Sequence, residues 1–456
     1  MTRIAAHIND AAITVLSGER IVYREPGFAL LDAREFTSGN EAFAKARINP
    51  RRIQHRYWSN LTTEPLTVHG FSHLTAADLV SRQLEQMWRA GGSDADELVV
   101  AVPAYMDAQQ LGLFLGIASE LELPVVAMVD AAVAATRREY RNAVPVHIDM
   151  GLHATVLTRL AQPDRAQFDR AEVMQDSGLY ALYDIWLNAL AQVFVQQSRF
   201  DPLHTAETEQ MLLDNLARWL AQAARKERVQ LQLPYAGIDH TAEIESLVLI
   251  GAAAPVYQQI ASRLRALYRA GDTPAIQVTD RIARLPGLPE LLKARVGGEV
   301  FVLEAGATAR GALARVSEGS AKGSGISLRR QLFWDRSATE VERDETAPAH
   351  AAVPTHLLFG SKAYAVAALP LVLGSQPDDG ERTIALGTGM PGISRRHCSV
   401  KLEDGHCVLE DHSRYGTFLN GYRIDGSTVL QVGDFLRIGS PGFEFHLITT
   451  DEAYGT

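Results

Sequence analysis

The sequence has few residues of the kind that form covalent or metal-bound frameworks. It contains only two cysteines, Cys398 and Cys407, in 456 residues. In the hairpin predicted below, they lie about four positions apart along the strands, roughly 13 Å at 3.3 Å per residue. This separation exceeds the reach of a disulfide. We therefore predict two buried free thiols in a reducing cytoplasm, and no cysteine-based metal site.

Long apolar runs and an excess of basic charge are also missing. No stretch approaches the ~20 apolar residues of a membrane-spanning helix, and the N-terminus lacks the apolar core of a signal peptide. The net charge is −10, which argues against a general nucleic-acid binder. The remaining composition, 46% hydrophobic and 21% charged, is ordinary for a globular chain of two to four domains. These features predict a cytoplasmic protein that neither inserts into a membrane nor binds nucleic acid.

A hairpin near the C-terminus can be recognised from its alternating side chains. Before an Asp-Gly turn at 404–405, Val400 and Leu402 alternate with charged residues, and after it Cys407 and Leu409 occupy alternate positions on the way back. In the register that this turn sets, four apolar side chains lie on one face. They form the pairs Leu402–Cys407 and Val400–Leu409. The loops at 392–397 and 411–421 flank this hairpin and carry Ser, Arg, His, Thr and Asn side chains. Such a group of donors at one end of a sheet is suited to binding an anion.

These loops resemble the forkhead-associated (FHA) domain, a β-sandwich that reads phosphothreonine in partner proteins. The family pattern Ser-Arg-x-His is complete at 394–397, and most of Asp-x-Ser-x-Asn-Gly-Thr-x-x-Asn-Gly is present at 411–421. The resemblance covers about residues 357–447 and predicts an all-β sandwich over 355–450. Two positions depart from the family. Ser375 replaces the Arg that grips the phosphate, and Tyr415 replaces the Asn that holds the ligand backbone.

The resemblance implies a phosphopeptide site formed by Ser394, Arg395, Arg414 and Tyr415. Arg395 and Arg414 are expected to supply the guanidinium lost at Ser375, because a planar guanidinium matches a phosphate best. Three residues are assigned to bracing the loops: His397, Thr417 and Asn420. The alternative is an FHA-shaped module that binds a protein without phosphate. In either case we expect a protein partner.

The first 316 residues show the alternation of strands and helices that is typical of an α/β layer fold. Residues 97–103 form a continuous apolar run, as expected for a strand buried on both faces. The elements predicted after it are a helix from Asp107 to about 121, a strand at 125–129, a helix at 131–140, a hairpin at 144–160, helices within 171–228, and strands at 238–244 and 247–250.

Several segments of this half resemble the seventy-kilodalton heat-shock chaperones and occur in the family's order. They include Val-Pro-Ala-Tyr at 102–105, Asp-Ala-Ala-Val-Ala-Ala at 130–135, Leu-Pro-Tyr at 233–235, and Glu-Ala-Gly-Ala-Thr-Ala-Arg-Gly-Ala at 304–312. The resemblance covers about residues 1–316. It implies the actin-like ATPase fold, in which two α/β lobes surround a cleft for ATP and Mg²⁺.

The two phosphate-loop motifs of that family are only partly matched in this chain. The first falls on residues 8–12, which include Asp10 but no glycine, and the second falls on 149–155, where only Asp149 and Gly151 match. Small residues let backbone N–H groups approach a phosphate, so these losses disfavour nucleotide binding. Asp10 and Asp149 are either carboxylates of a Mg²⁺ shell or ordinary loop acids.

Other positions that the family uses are also altered. Gly251 alone remains of the adenosine loop, and the catalytic Lys falls near Trp58. The general base falls on Asp130, which is either a catalytic acid, as the resemblance implies, or the N-cap of the following helix. With Asp149, it is one of two candidate catalytic residues. ATP hydrolysis is therefore expected to be absent or very slow.

Residues 317–354 are predicted to be a flexible linker, because Gly and Ser fill its start and charged, Ala and Pro residues its end. Within it, residues 326–334 carry apolar side chains among arginines and could dock on either domain as a short peptide.

Three functions follow from the sequence: an adaptor with a degenerate ATPase domain, an ATPase whose nucleotide state gates the FHA-like module, and an actin-like assembling protein.

Overall fold

In a computed structural model, the chain divides into two compact units. The first comprises Met1–Glu139 and Val144–Asp335, and the second comprises Tyr140–Ala143 and Arg336–Thr456. The structure describes residues 2–32, 36–92, 95–316, 326–335, 353–359, 362–377, 382–387, 392–403, 405–414, 416–419, 422–424, 426–430, 434–439 and 442–448. Within these ranges, no helix is long and apolar enough to cross a membrane.

The first unit is a mixed α/β structure. Its strands are β1 (Arg3–His7), β2 (Ile13–Ser17), β3 (Arg20–Glu25), β4 (Ala29–Leu31), β5 (Phe36–Ser38), β6 (Ile53–Gln54), β7 (Glu97–Val102), β8 (Val125–Asp130), β9 (Val144–Met150), β10 (Ala154–Ala161), β11 (Arg165–Gln175), β12 (Arg228–Tyr235), β13 (Ile238–Glu245), β14 (Pro274–Val278), β15 (Glu299–Val302), β16 (Leu328–Arg329) and β17 (Gln331–Phe333). Its helices are α1 (Gly39–Phe43), α2 (Ala76–Gly91), α3 (Ala108–Glu120), α4 (Ala131–Ala135), α5 (Leu179–Ser198), α6 (Ala206–Ala223), α7 (Ser246–Leu267), α8 (Leu288–Val296) and α9 (Ala307–Arg315), with a 3-10 turn at Ile282–Arg284.

Two six-stranded sheets of the first unit are built to the same plan. Their strand orders are β16-β8-β7-β1-β2-β3 and β15-β14-β9-β10-β11-β17. In each sheet, three consecutive strands form an antiparallel meander, and two later strands extend the sheet in parallel from the first strand of that meander. We call the first sheet with its helices the first lobe, and the second sheet with its helices the second lobe. The assignment of these lobes to the actin-like ATPases stays a prediction.

The predicted local signals account for much of the first lobe. Strand β7 is buried along almost its whole length, as its continuous apolar run predicts. The Thr-Ala-Ala-Asp sequence at 75–78 predicts a cap followed by a helix to Trp88, and α2 begins there with a capping box in which Thr75 and Asp78 exchange hydrogen bonds. Helix α3 begins after the predicted cap Asp107. Residues 28–31, which include strand β4, alternate between two cores. Phe28 and Leu30 lie in the core of the second lobe, and Ala29 and Leu31 lie in the core of the first.

The last parallel strand of each lobe leads into a short helix, and these two helices, α4 and α9, pack closely. A Cβ atom on Gly311 would lie 1.9 Å from the carbonyl oxygen of Ala134, so only glycine permits this approach. Arg315 closes the end of α4 by donating to the carbonyl oxygens of Val133 at 2.8 Å and Thr136 at 2.9 Å. Burial lowers the pKa of this guanidinium to about 9.

Four segments of the first unit differ from the sequence-based expectation. Helix α4 ends at Ala135 instead of near residue 140, because Thr136 already leaves the helical conformation. Residues 247–250 form the first turn of helix α7 instead of a strand, because one side of that helix, including Leu249 and Ala253, is buried in the second lobe. Helix α5 begins only at Leu179, since strand β11 occupies the start of the segment predicted to be helical. Residues 326–335, part of the predicted linker, form β16 and β17 within the first unit, which is one of the two places where the sequence allowed this segment to dock.

The second unit consists of two β-sheets that share one apolar core. Its strands are β18 (His356–Phe359), β19 (Lys362–Ala365), β20 (Leu371–Gly374), β21 (Arg382–Ala385), β22 (Cys398–Glu403), β23 (His406–Asp411), β24 (Thr417–Leu419), β25 (Tyr422–Arg423), β26 (Ser427–Leu430), β27 (Phe435–Gly439) and β28 (Gly442–Ile448). The sheet orders are β19-β18-β28-β27-β24-β25 and β21-β20-β22-β23-β26. Side chains from both sheets meet in one cluster, as in a sandwich.

The predicted hairpin is strands β22 and β23, and its predicted register is confirmed. Leu402 pairs with Cys407, and Val400 pairs with Leu409. Val400, Cys407 and Leu409 are fully buried, but Leu402 is 38% exposed, because it lies at the end of the hairpin next to the turn. Both cysteines are buried and free, as predicted.

Candidate functional site

The two loops predicted to bind phosphate contact each other directly. Oδ1 of Asp10, in the first loop, accepts a hydrogen bond of 2.7 Å from the backbone N–H of Leu152 in the second. A Cβ atom on Gly151 would lie 2.3 Å from the same oxygen, so the glycine permits this contact. Asn9 donates to the carbonyl oxygen of Met150 at 3.4 Å. The first loop therefore places its own side chains against the backbone of the second.

A third group, Arg281, enters from the loop that follows strand β14. Its Nη1 donates to Oδ1 of Asn9 at 3.0 Å and to the carbonyl oxygen of Met150 at 2.8 Å. It thereby links the first lobe to the second. Burial raises the pKa of Asp10 to about 6, against the lowering effects of the Leu152 N–H and the Arg281 charge.

Asp149 is paired across the lobes with a histidine that the sequence did not indicate. Its Oδ2 lies 3.2 Å from Nε2 of His7, and both side chains are buried. Burial alone would raise the pKa of Asp149, but the close approach of His7, with His147 and Arg281 nearby, holds it well below its usual range. The adjoining cavity of about 30 Å³ has room for water but not for a nucleotide.

Asp130 begins one helix, and Gly251 lies inside another. Oδ1 of Asp130 accepts from the backbone N–H groups of Ala132 at 3.0 Å and Val133 at 3.1 Å, so it is the N-cap of α4. Burial raises its pKa to about 6, although both hydrogen bonds and the charge of Arg330 lower it. Gly251 is exposed inside helix α7 instead of forming a loop.

Aromatic rings fill the region where the resemblance placed a catalytic lysine. Nδ1 of His55 lies 3.0 Å from Nε2 of His153, and the ring of Tyr180 stacks on His55 with centroids 4.2 Å apart. Burial lowers the pKa of His55 to about 3 and that of His153 to about 4, so both rings are neutral near pH 7. Trp58 is buried and donates to Gln83 at 2.7 Å, as a core anchor would.

Sequence reasoning placed Asn9 within the first loop without giving it a role, and it missed His7 and Arg281. A usable signal was present for the last of these. Residues 274–278, which are apolar except for Gln277, lead into a Thr-Asp-Arg segment, which is the pattern of a buried strand followed by a loop at the sheet edge. Among the described residues, no group of three or more His, Cys, Asp or Glu side chains could hold a metal ion.

In the second unit, Ser394 joins the two loops that flank the β22–β23 hairpin. Its hydroxyl oxygen accepts a hydrogen bond of 3.1 Å from the backbone N–H of Arg414. Its own backbone N–H donates to Nδ1 of His397 at 3.1 Å. Because Nδ1 accepts, Nε2 carries the proton and donates to the carbonyl oxygen of Gly416 at 3.2 Å. Burial lowers the pKa of His397, which favours this neutral ring.

The second loop is held by its own side chains, with Asp411 at the centre. One carboxylate oxygen accepts from the backbone N–H of Ser413 at 3.0 Å and from the hydroxyl of Thr417 at 2.8 Å. The hydroxyl of Ser413 in turn accepts from the N–H of Gly416 at 2.6 Å. These contacts place His397 and Thr417 as braces, as predicted, and they fix the backbone next to Arg414.

The backbone of the first loop is fixed against the end of strand β20. The N–H of Ser375 donates to the carbonyl oxygen of Ser394 at 3.0 Å, and the N–H of Gln376 donates to that of Arg395 at 3.2 Å. Ser375 therefore lies beside the predicted phosphate-binding residues, while the side chains of Arg395 and Arg414 are exposed. Tyr415 and Asn420 lie outside the described residues.

The comparison with protein families agrees with the predicted resemblance of this part of the chain. The family model for the FHA domain matches residues 372–439, which contain both loops and the hairpin between them. This segment is thus an FHA domain, a class of all-β module that binds protein partners. No curated protein matches the chain.

Proposed function

We propose that this chain is an adaptor whose FHA domain docks onto a threonine-phosphorylated protein, while the first unit is a scaffold without ATPase chemistry. The observation that carries the proposal is the hydrogen bond between Ser394 and Arg414, which joins the two loops of the FHA domain. As an acceptor in that bond, the Ser394 hydroxyl keeps its own proton for donation to a ligand.

The charges around this bond suit a phosphate dianion. Arg395 follows Ser394 in the chain, and both Arg395 and Arg414 have exposed side chains on loops whose backbones are held in place. Hydrogen bonds between guanidinium and phosphate are shorter and about twice as strong as neutral ones. Because Ser375 replaces the arginine of the family, we expect the affinity to be lower than is usual for FHA domains.

The scaffold role of the first unit is supported by the contacts in its cleft. Asp149 is paired with His7, and Asp10 accepts from Leu152, so both carboxylates are engaged within the protein. Arg281 occupies the space between the two loops. A phosphate and its Mg²⁺ would have to displace all of these contacts, and we therefore expect no ATP turnover.

A phosphothreonine peptide library titrated against the full chain tests the proposal. Arg395→Ala should abolish binding, whereas Lys362→Ala, which removes an exposed charge from strand β19, should not change it. Capture of the native partner from lysate should fail after phosphatase treatment. If the partner binds equally well after that treatment, the phosphate-dependent function is refuted and the phosphate-independent alternative takes its place.

The repeated topology of the two lobes favours a second candidate, an actin-like nucleotide-dependent protein. This candidate could be a nucleotide-gated ATPase or an assembling protein, and the two are expected to behave differently. A nucleotide-gated ATPase should bind Mg-ATP and turn it over at about 1 per second or faster, with loss of turnover in Asp149→Ala. An assembling protein should sediment in a concentration-dependent manner. The adaptor should do neither.

A further inference from the structure

Residues 326–335, here called the strap, cross from one lobe of the first unit to the other. Strand β16 adds to the outer edge of the first sheet, where Leu328 pairs in parallel with Met128 of β8. Strand β17 adds to the outer edge of the second sheet, where Leu332 pairs in antiparallel fashion with Ala166 of β11. The same ten-residue segment thus completes both sheets.

The strap is anchored at its centre by an apolar side chain. Leu332 is only 5% exposed and belongs to a core cluster with residues of helices α4 and α9. This cluster also contains Leu160 of β10 and Val129 of β8, so it draws on both lobes. Loss of the Leu332 side chain would therefore remove apolar contacts with both lobes at once.

The end of the strap is anchored by charge. Oδ2 of Asp335 accepts two charge-assisted hydrogen bonds from Arg137, one from Nε at 2.9 Å and one from Nη2 at 2.7 Å. The backbone N–H of Asp335 donates to the carbonyl oxygen of Arg137 at 2.9 Å. The carboxylate is 5% exposed, so this ion pair is little screened by solvent.

Two arginine–aromatic contacts complete the match between strap and surface. Arg165 of β11 lies over the ring of Phe333 at 4.2 Å, and Arg330 of the strap lies over the ring of Phe168 at 4.8 Å. The N–H of Phe168 also donates to the carbonyl oxygen of Arg330 at 2.8 Å. The strap and strand β11 each supply one arginine and one aromatic ring. These contacts give the surface a preference for the strap sequence over an arbitrary extended segment.

We propose that the outer edges of β8 and β11, with the end of α4 between them, form a binding site for an extended peptide. The ligand is an apolar–basic segment that ends in an acidic residue, and the strap occupies the site in cis and holds the two lobes together. Main-chain pairing supplies affinity, whereas the Leu332 pocket, the two arginine–aromatic contacts and Arg137 supply selectivity. This site is separate from the FHA domain.

The test uses the full chain with residues 326–335 replaced by ten Gly and Ser residues. A fluorescent peptide of the strap sequence should bind this variant saturably and should bind the wild-type chain at least ten-fold more weakly, because the site is already filled. A peptide with Leu332→Asp should not bind, while one with Ile326→Ala should bind as well as the wild-type peptide, since Ile326 is 37% exposed and outside the paired strands.

A folded replacement variant that binds no peptide would overturn the proposal. If that variant does not fold, amide exchange in the full chain decides the question. Leu332→Ala and Asp335→Ala should each speed exchange at 128–129 and 165–168, and unchanged exchange there would refute the site. Mixed dimers between labelled and unlabelled wild-type chains that disappear when residues 326–335 are replaced would show that the occupant comes from a second copy, which contradicts occupation in cis.

Discussion

Nη1 of Arg281 lies 3.0 Å from Oδ1 of Asn9 and so connects the two lobes of the first unit. Asn9 belongs to the loop between β1 and β2, and Arg281 to the loop after β14. The same guanidinium donates to Met150, at the start of the other loop predicted to bind phosphate. The same side chain thus contacts both of the loops that the resemblance predicted to bind phosphate.

Replacing Arg281 with Ala is expected to destabilise the first unit by about 1.5–3 kcal/mol, the usual range for a lost hydrogen bond to a charged group. Arg284→Ala is the matched control, because Arg284 is exposed and pairs only at the surface with Asp280; we expect a loss below about 0.5 kcal/mol. All five tryptophans of the sequence precede residue 335. Urea unfolding followed by tryptophan fluorescence therefore reports on the first unit. Equal losses for both variants would contradict the linking role of Arg281.

Two glycine substitutions should act in opposite directions. Gly251→Ala is expected to raise the unfolding free energy by about 0.5–1 kcal/mol, because alanine is the better helix former and its Cβ would meet no atom within 4 Å. Gly311→Ala is expected to lower it, since the added Cβ would lie 1.9 Å from the carbonyl oxygen of Ala134. The midpoint of thermal unfolding measures both effects. A destabilised Gly251→Ala variant would show that this glycine has a role that its place in α7 does not explain.

Asp130→Asn is expected to reduce the pH dependence of stability. Burial raises the pKa of Asp130 to about 6 in the folded state, from 3.8, so the folded protein holds this proton more tightly than the unfolded chain. Its contribution to stability is therefore present below pH 4 and is lost as the pH rises through 6, by roughly 2–3 kcal/mol. Asparagine keeps the helix cap without the charge.

The stability difference between Asp130→Asn and the wild-type chain should therefore grow in favour of the variant from pH 4 to pH 7. Asp130→Ala, which also loses the cap, serves as the control and should be less stable than Asp130→Asn at every pH. Urea unfolding at several pH values measures these differences. A difference that does not change with pH would contradict the raised pKa.

Ser375→Arg should strengthen binding of a phosphothreonine peptide. The backbone of Ser375 is hydrogen-bonded to that of Ser394, so an arginine at position 375 would extend from a backbone position next to the proposed phosphate site. A good charge-assisted contact corresponds to an affinity gain of about ten-fold or more, or roughly 1.5 kcal/mol. Ser375→Lys is the control, because it adds the charge without the planar fork and should give a smaller gain. Calorimetry with phosphorylated and unphosphorylated peptides would separate this effect from general charge attraction.

The sequence alone determined the features that depend on neighbouring residues. The register of β22 and β23 follows from an Asp-Gly turn between two runs of period two, and the caps Thr75 and Asp107 act on N–H groups three residues away. The loops of the FHA domain were recognisable for the same reason, since Ser394 and His397 lie in a single short motif. The register and the caps depend on the geometry of a few neighbouring residues and not on the packing of the rest of the chain.

Only the tertiary structure decided which distant groups meet. The contact of Arg281 with Asn9 spans 272 positions, and no periodicity of the sequence encodes it. Residues 247–250 carry an apolar run that fits a strand or a buried helix equally well, and packing against the second lobe selected the helix. Strands β16 and β17 are two and three residues long, too short for any pattern to predict. They form because β8 and β11 offer unpaired edges, and the backbone groups of a sheet edge are satisfied only when another segment reaches them.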